Sequence, residues 1–213
     1  MKLYDAVMAN REGYEDLRQQ ILKKVLHYGI DDPYADEQMK WICDVYSEIC
    51  GECFGVRSKA YRGGLYGAAD HIAQGYHTWA TPDGRKTGEA LADATSPAQG
   101  RDFDGPTAVF NSNCCFDHSR CMEGIALNIR IHPTALKKEE DIGKLRDMTK
   151  AYFANGGMEV RYNLVSSETM RAVQKDPQTY RDPVVPIAGY SAYFIELGTD
   201  MQNDIIRRTE NAL

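Results

Sequence analysis

Cys50-Gly51-Glu52-Cys53 sets two thiols across two residues, half of a tetrahedral zinc or iron–sulfur site, and Cys43 lies one helical stretch earlier. No second pair of cysteines or histidines at ligand spacing follows, so the pattern favours reduced thiols at a helix end. Cys114, Cys115 and Cys121 complete the set of 6 cysteines. Asp117-His118 and His132 carry groups able to move protons, although an isolated histidine beside a strand is more often structural. His71 and His77 sit in a stretch rich in glycine and aromatic residues, a composition fit to line a substrate space. The apolar run 184–194 is broken by Gly189. By composition alone it reads as a buried strand in which glycine permits a bulge or the close approach of another backbone. The chain contains no glycine-rich phosphate loop, nucleophile elbow or basic–aromatic stripe.

These residues need elements to hold them. Over residues 1–50, Leu3 and Val7, then Tyr14, Leu17, Ile21 and Val25, fall three or four apart with charges between, which predicts helices. Asp32-Pro33 has the form of a helix start, and Met39, Ile42, Tyr46 and Ile49 continue at helical spacing to Gly51. Residues 81–106 are dominated by turn formers, a length that in a compact protein points to a functional or covered loop. Residues 107–110 (Thr-Ala-Val-Phe) read as a strand, as do Leu127, Ile129 and Ile131 alternating with Asn128 and Arg130. A helix is expected over 137–153 and a strand from Met158 to Leu164. A short helix capped by Ser166 or Ser167 follows, and a last helix over 199–211 is opened by a Thr199/Gln202 capping box.

The 213 residues are 43% hydrophobic and 26% charged, ordinary for a folded soluble protein, which excludes collagen-like, low-complexity and disordered classes. A formal charge of -6 gives no general attraction to nucleic acid or anionic membrane. No apolar run nears the roughly 20 residues of a membrane-spanning helix. The first residues lack the plan of a signal peptide, so a cytoplasmic location with free thiols is expected.

Ile187-Ala188-Gly189-Tyr190-Ser191-Ala192-Tyr193-Phe194 resembles the signature of the glycyl radical enzymes, the family of pyruvate formate-lyase and its dehydratase, lyase and decarboxylase relatives. The segment from Thr81-Pro82-Asp83-Gly84-Arg85 to Asp93, then Ser96-Pro97, Gly105-Pro106-Thr107-Ala108, Asn111-Ser112, Asp117-His118-Ser119 and His132-Pro133, follows in the family's order. So do Gly156-Gly157, Asn163, Glu168-Thr169, Gln174-Lys175 and the stretch from Gln202 to Glu210. The resemblance covers essentially the whole chain and is nearest to the diol dehydratase, choline lyase and arylacetate decarboxylase branch. It implies a mixed α/β fold forming the C-terminal portion of a ten-stranded β/α barrel. Residues 1–80 would be helical barrel elements, and residues 81–213 a glycine radical domain with its loop at 184–194.

A radical on a glycine α-carbon is delocalised between the amide nitrogen and the carbonyl, which requires a planar centre, and only glycine lacks a side chain to oppose it. The resemblance thus implies Gly189 as the radical store, with Ile187, Ala188, Tyr190, Ser191 and Phe194 forming its environment and His71 and His77 on the substrate side. It implies no bound cofactor or metal. A separate radical S-adenosylmethionine activating enzyme would remove the hydrogen, and a larger chain would carry the cysteine that becomes a thiyl radical. Cys114-Cys115 resembles the paired cysteines of pyruvate formate-lyase, but their neighbours belong to the segment after the barrel, which favours buried thiols. Pro186 stands where the family usually has arginine. The expected function is therefore the radical-bearing C-terminal portion or small subunit of a lyase or dehydratase, inactive alone. The alternatives are a spare domain that restores an oxygen-damaged enzyme and a cysteine-based metal protein.

Overall fold

The computed structural model describes residues 2–57, 59–67, 69–179, 182–187, 190–208 and 210–211. Three helices open it: α1 (Lys2–Met8), α2 (Glu15–Lys24) and α3 (Pro33–Glu52). The start of α3 is the one the sequence predicts. Asp32 stays extended and its carboxylate accepts the N–H groups of Tyr34 (3.0 Å) and Ala35 (3.2 Å), satisfying orphan donors of the first turn. Between α1 and α2 the chain turns through Asn10 and Arg11, and the buried Arg11 side chain donates to the Thr81 carbonyl.

Residues 81–104 form neither helix nor strand, and only the last two residues of the expected loop, Gly105 and Pro106, are helical; the loop is nevertheless tied down by hydrogen bonds. Arg18 donates to Gly84 O (2.8 Å), Arg101 to Leu22 O (2.9 Å), and Thr95 Oγ1 to Ala126 O (2.7 Å). This covered loop packs on α4 (Asp70–Tyr76), a short helix the sequence did not reveal. The approach requires Gly75, where an added Cβ would lie 2.4 Å from the Glu89 carbonyl oxygen.

Residues 107–110 are not a strand. They belong to α5 (Gly105–Asn113), which starts with Pro106 in its first turn. Pro106, Ala108, Val109, Phe110, Ser112 and Asn113 are all buried and only Thr107 and Asn111 are exposed, so polar residues lie on both faces and the helical period is blurred. After it, β1 (Asn128–Arg130) pairs in parallel with β2 (Arg161–Asn163). The crossover that a parallel pair demands is α6 (Glu139–Ala154). Val109, Phe110, Leu127, Ile129, Ile131 and Tyr152 fill the space between them, with the Phe110 and Tyr152 rings stacked at 4.6 Å.

The remainder is α7 (Ser167–Lys175), an antiparallel hairpin of β3 (Val184–Pro186) and β4 (Ser191–Tyr193), and α8 (Thr199–Arg207). Met170 and Val173 of α7, Val185, Ile187 and Phe194 around the hairpin, and Met201, Ile205 and Ile206 of α8 form one buried cluster. Ser166 caps α7, accepting from Thr169 N. The expected capping box of α8 is absent, because Gly198 is the cap and Thr199 is already helical. Gln202 instead donates to the Phe194 (3.1 Å) and Leu197 (3.0 Å) carbonyls, fastening the helix to the end of the hairpin. The helix also stops at Arg207, short of the expected 211, because Asn211 turns back to bridge Ile131 beside β1.

Candidate functional site

The apolar run with its central glycine folds as a hairpin rather than one continuous strand. In its register Val184, Val185 and Pro186 face Tyr193, Ala192 and Ser191. Ile187 N donates to Tyr190 O (2.9 Å) and Phe194 N to Pro183 O (2.9 Å), so the odd-numbered residues of β3 hold the hydrogen-bonded positions. Pro186 therefore falls at a non-bonded position, where a missing N–H costs the ladder nothing. Ala188 and Gly189 lie outside the described residues, and the site is defined by its flanks. Ile187 and Phe194 are buried, 4% and 0% exposed, and anchor the hairpin to α7 and α8. Tyr190 and Ser191 are exposed and line an open cleft with Glu159, Arg161, Tyr162 and Pro186.

A second group of side chains fixes α8, and none of it was assigned this role from sequence. Arg130, 2% exposed, sends Nη1 to the carbonyls of Ile205 (3.0 Å), Ile206 (3.1 Å) and Arg208 (3.0 Å). Those are the orphan acceptors of a helix C-terminus, here met by a buried guanidinium. Its Nη2 bonds Ser167 Oγ (2.5 Å) and pairs with Glu210. On the opposite side of the helix end, His71 Nε2 lies 3.1 Å from Asp204 Oδ2, and its Nδ1 is 3.6 Å from Asp93. Arg208 bridges Asp93 (2.8 Å) and Asp204 (3.1 Å). Burial by itself would push the Asp204 carboxyl up, but the His71 hydrogen bond and the Arg208 charge outweigh it and hold the group below the usual carboxylate range.

A lowered folded-state pKa contributes stability that is present above the unfolded carboxylate value, near 4, and is lost as pH falls through the folded value. Wild-type stability is thus expected to fall more steeply between about pH 5 and pH 3 than that of Asp204→Asn, read as urea midpoints across the range. Equal slopes would remove Asp204 from the acid response.

The other histidines separate by environment. His77 follows α4 and is exposed, its N–H bonding Gln74 O (3.1 Å), while His71 is buried. His118 is buried and spends both ring nitrogens, Nδ1 accepting from Met158 N (3.1 Å) and Nε2 donating to Asn113 O (2.6 Å). Burial lowers its pKa against the Asn113 bond, which suits a neutral structural ring. His132 Nδ1 accepts from Thr134 N (3.3 Å), and Nε2 faces Glu168 (3.9 Å) and Glu210 (3.8 Å). This trio is the group of potential ligands found among the described residues. A ring whose Nδ1 accepts carries its proton on Nε2, which then faces the two carboxylates, and Glu210 is already committed to Arg130 and Ser167.

The cysteines of the metal alternative, Cys43, Cys50 and Cys53, are not brought together among the described residues. Cys43 is buried against Phe116, Cys121 and Ile125, and burial with the neighbouring Cys121 pushes its thiol up to about 11. Cys53 is exposed. Cys114 and Cys115 follow α5. The first packs against the β1–β2 core and the second against the Cys43 cluster, with burial raising Cys115 to about 12.

Fold and site together define a mixed α/β unit whose last third presents a glycine-bearing hairpin on an apolar core, locked by the terminal helix. A family model described as "Glycine radical" matches residues 91–195, and one described as "Pyruvate formate lyase-like" matches residues 1–75. The (2S)-3-sulfopropanediol dehydratase of Klebsiella oxytoca is 37% identical over 98% of this chain and 26% of its own length. The 4-hydroxyphenylacetate decarboxylase glycyl radical subunit of Clostridioides difficile is 34% identical over 97% of this chain and 23% of its own. The glycerol-bound B12-independent glycerol dehydratase of Clostridium butyricum superposes on 100% of the chain and 27% of its own, with a TM-score of 0.95 at 35% identity. The chain belongs to the glycyl radical enzyme family. It spans about a quarter of the length of the curated relatives it matches. No helix among the described residues is long and apolar enough to cross a membrane.

Proposed function

We propose that this chain is the radical-bearing C-terminal portion of a glycyl radical lyase or dehydratase and that Gly189 stores the radical. The observation that carries the reading is the glycine radical match over 91–195, which takes in the whole β3–β4 hairpin. An activating enzyme of the radical S-adenosylmethionine class takes one hydrogen atom from the Gly189 α-carbon. The glycyl radical later accepts a hydrogen atom from a cysteine S–H, which restores glycine and leaves a thiyl radical to attack the substrate. The flanks suit storage. Ile187 and Phe194 seal the hairpin base against water, and the Ile187–Tyr190 bond closes it. Cys114 and Cys115 belong to cores other than the one beneath the hairpin, so the thiyl cysteine is assigned to a larger chain. The dehydratases and decarboxylase among the relatives favour a small hydroxylated or carboxylated substrate. Residues 81–213 act as the radical domain and residues 1–80 as helical elements of a ten-stranded β/α barrel completed by that larger chain. His71, locked to Asp204, serves as an anchor of α8, which leaves the exposed His77 as the substrate-side candidate.

Dioxygen adds to a backbone carbon radical and breaks the chain there, which gives the test. After anaerobic activation and spin quantitation, exposure to air should yield a C-terminal fragment beginning near Gly189 by intact mass spectrometry, in proportion to the radical measured. A radical-containing sample that stays whole, or breaks elsewhere, defeats the assignment.

A further inference from the structure

Among the described residues, a polar contact that the apolar cluster does not explain ties the hairpin to the central sheet. Arg161, in β2, sends Nη1 to the carbonyl of Ile187 (2.9 Å), two residues before Gly189. Its Nε bonds Glu159 Oε1 (2.5 Å), and the other carboxylate oxygen accepts Leu127 N (3.2 Å) at the entrance to β1. The Arg161 backbone N–H is bonded to Leu127 O (2.8 Å), so backbone and side chain are both referenced to the same residue of the core. The Arg161 side chain is 19% exposed and that of Glu159 30%, so this is a half-buried, charge-assisted bond rather than a surface pair.

We infer that Arg161, oriented by Glu159, is the positioning residue of the radical hairpin: it sets how far the Ile187 end of the glycine loop stands from the β1–β2 sheet. The inference rests on Gly189 as the radical store. Ile187 fills an apolar cluster shared with α7 and α8, and apolar burial is non-directional. A guanidinium held at one edge by a carboxylate and donating to one carbonyl is directional, and fixes the strand end to within a hydrogen-bond length. A hydrogen-atom relay depends on that length, because a misplacement of about 1 Å costs roughly a hundredfold in rate. Arg161 touches no reacting atom and acts through the backbone.

The experiment compares wild type with Arg161→Met, Arg161→Lys and Glu159→Gln in two measurements on the whole chain. The first is amide hydrogen exchange of the peptide spanning 184–194, with peptides of α6 and α8 as internal references. Arg161→Met should speed exchange in the hairpin about tenfold and leave α6 and α8 unchanged, while Arg161→Lys recovers part of the loss by restoring one charged donor. The second is radical yield and anaerobic radical lifetime after activation. Arg161→Met should lower yield or shorten lifetime at unchanged Tm, with Glu159→Gln in between. Unchanged hairpin exchange in Arg161→Met, or exchange raised equally in all three peptides, overturns the positioning role. Faster hairpin exchange with wild-type radical yield and lifetime overturns it too, leaving a structural bond. Failure of both wild type and Pro186→Arg to form a radical defeats the reading of Gly189 itself, which the exchange data then separate from the fate of the Arg161 contact.

Discussion

Gly189→Ala is expected to abolish the organic radical that the wild-type chain forms on anaerobic incubation with a cognate activating enzyme and S-adenosylmethionine. The effect is all or none, because a methyl group at the α-carbon crowds the planar centre and replaces the hydrogen whose coupling splits the signal. The measurement is electron paramagnetic resonance at matched protein concentration, with a wild-type doublet from the remaining α-hydrogen and no signal in the variant. A thermal melt alongside checks that the variant is folded. An unchanged signal in Gly189→Ala would move the radical to another residue. Activation that fails in wild type but succeeds in Pro186→Arg would identify the proline as the obstacle to the activating enzyme rather than to the radical.

Arg130→Met should produce the largest loss of stability of any single polar substitution in the chain. The buried guanidinium closes three carbonyls at the end of α8 and balances Glu210, and methionine keeps its stem while removing every donor. Breaking a buried pair and leaving its partners unsatisfied costs about 3–5 kcal/mol. For a chain of this size that lowers Tm by roughly 10 °C. Hydrogen exchange should place the damage in α8 and residues 210–211, with α2 and α3 spared. A loss below about 1 kcal/mol, the scale of an exposed ion pair, would mean that water replaces the guanidinium at little cost.

What the sequence could reveal depended on how far each residue lies from its partners. The start of α3 was legible because Asp32 caps donors two and three residues ahead, and α6 because its apolar stripe contrasts with a solvated face. The two central strands were legible for the same reason, through alternation. In α5 the burial of Val109 and Phe110 together with Ser112 and Asn113 erased the contrast, and residues that favour strands when read alone were drawn into a helix by packing against Tyr152. Arg130 occupies a polar position of an alternating strand, where the pattern alone gives no sign of burial. Its partners are 37 to 80 residues away, and those of His71 as far as 133, so no local pattern carried either role. The glycine-bearing segment was legible as a motif, but its division into two paired strands was not, because a run apolar on both sides of a glycine fits one buried strand equally well.

The return of Asn211 to β1 changes what a backbone break at residue 189 would mean. The piece on the far side of such a nick contains β4, α8 and residues 210–211, and the contacts described between it and the residues before the nick are all non-covalent. Phe194, Ile205 and Ile206 sit in the core with Met170 and Val185; Arg130 grips the helix end; Asn211 N bonds the Arg130 carbonyl (3.0 Å), and His132 N bonds Asn211 O (3.0 Å). An oxygen-severed chain would therefore keep its tail in place, two polypeptides in one folded body, much as a protease-nicked protein stays whole until it is denatured. Damage at the glycine would be covalently complete and yet almost invisible to shape, and removing the spent segment would require unfolding the anchor that makes the intact site rigid.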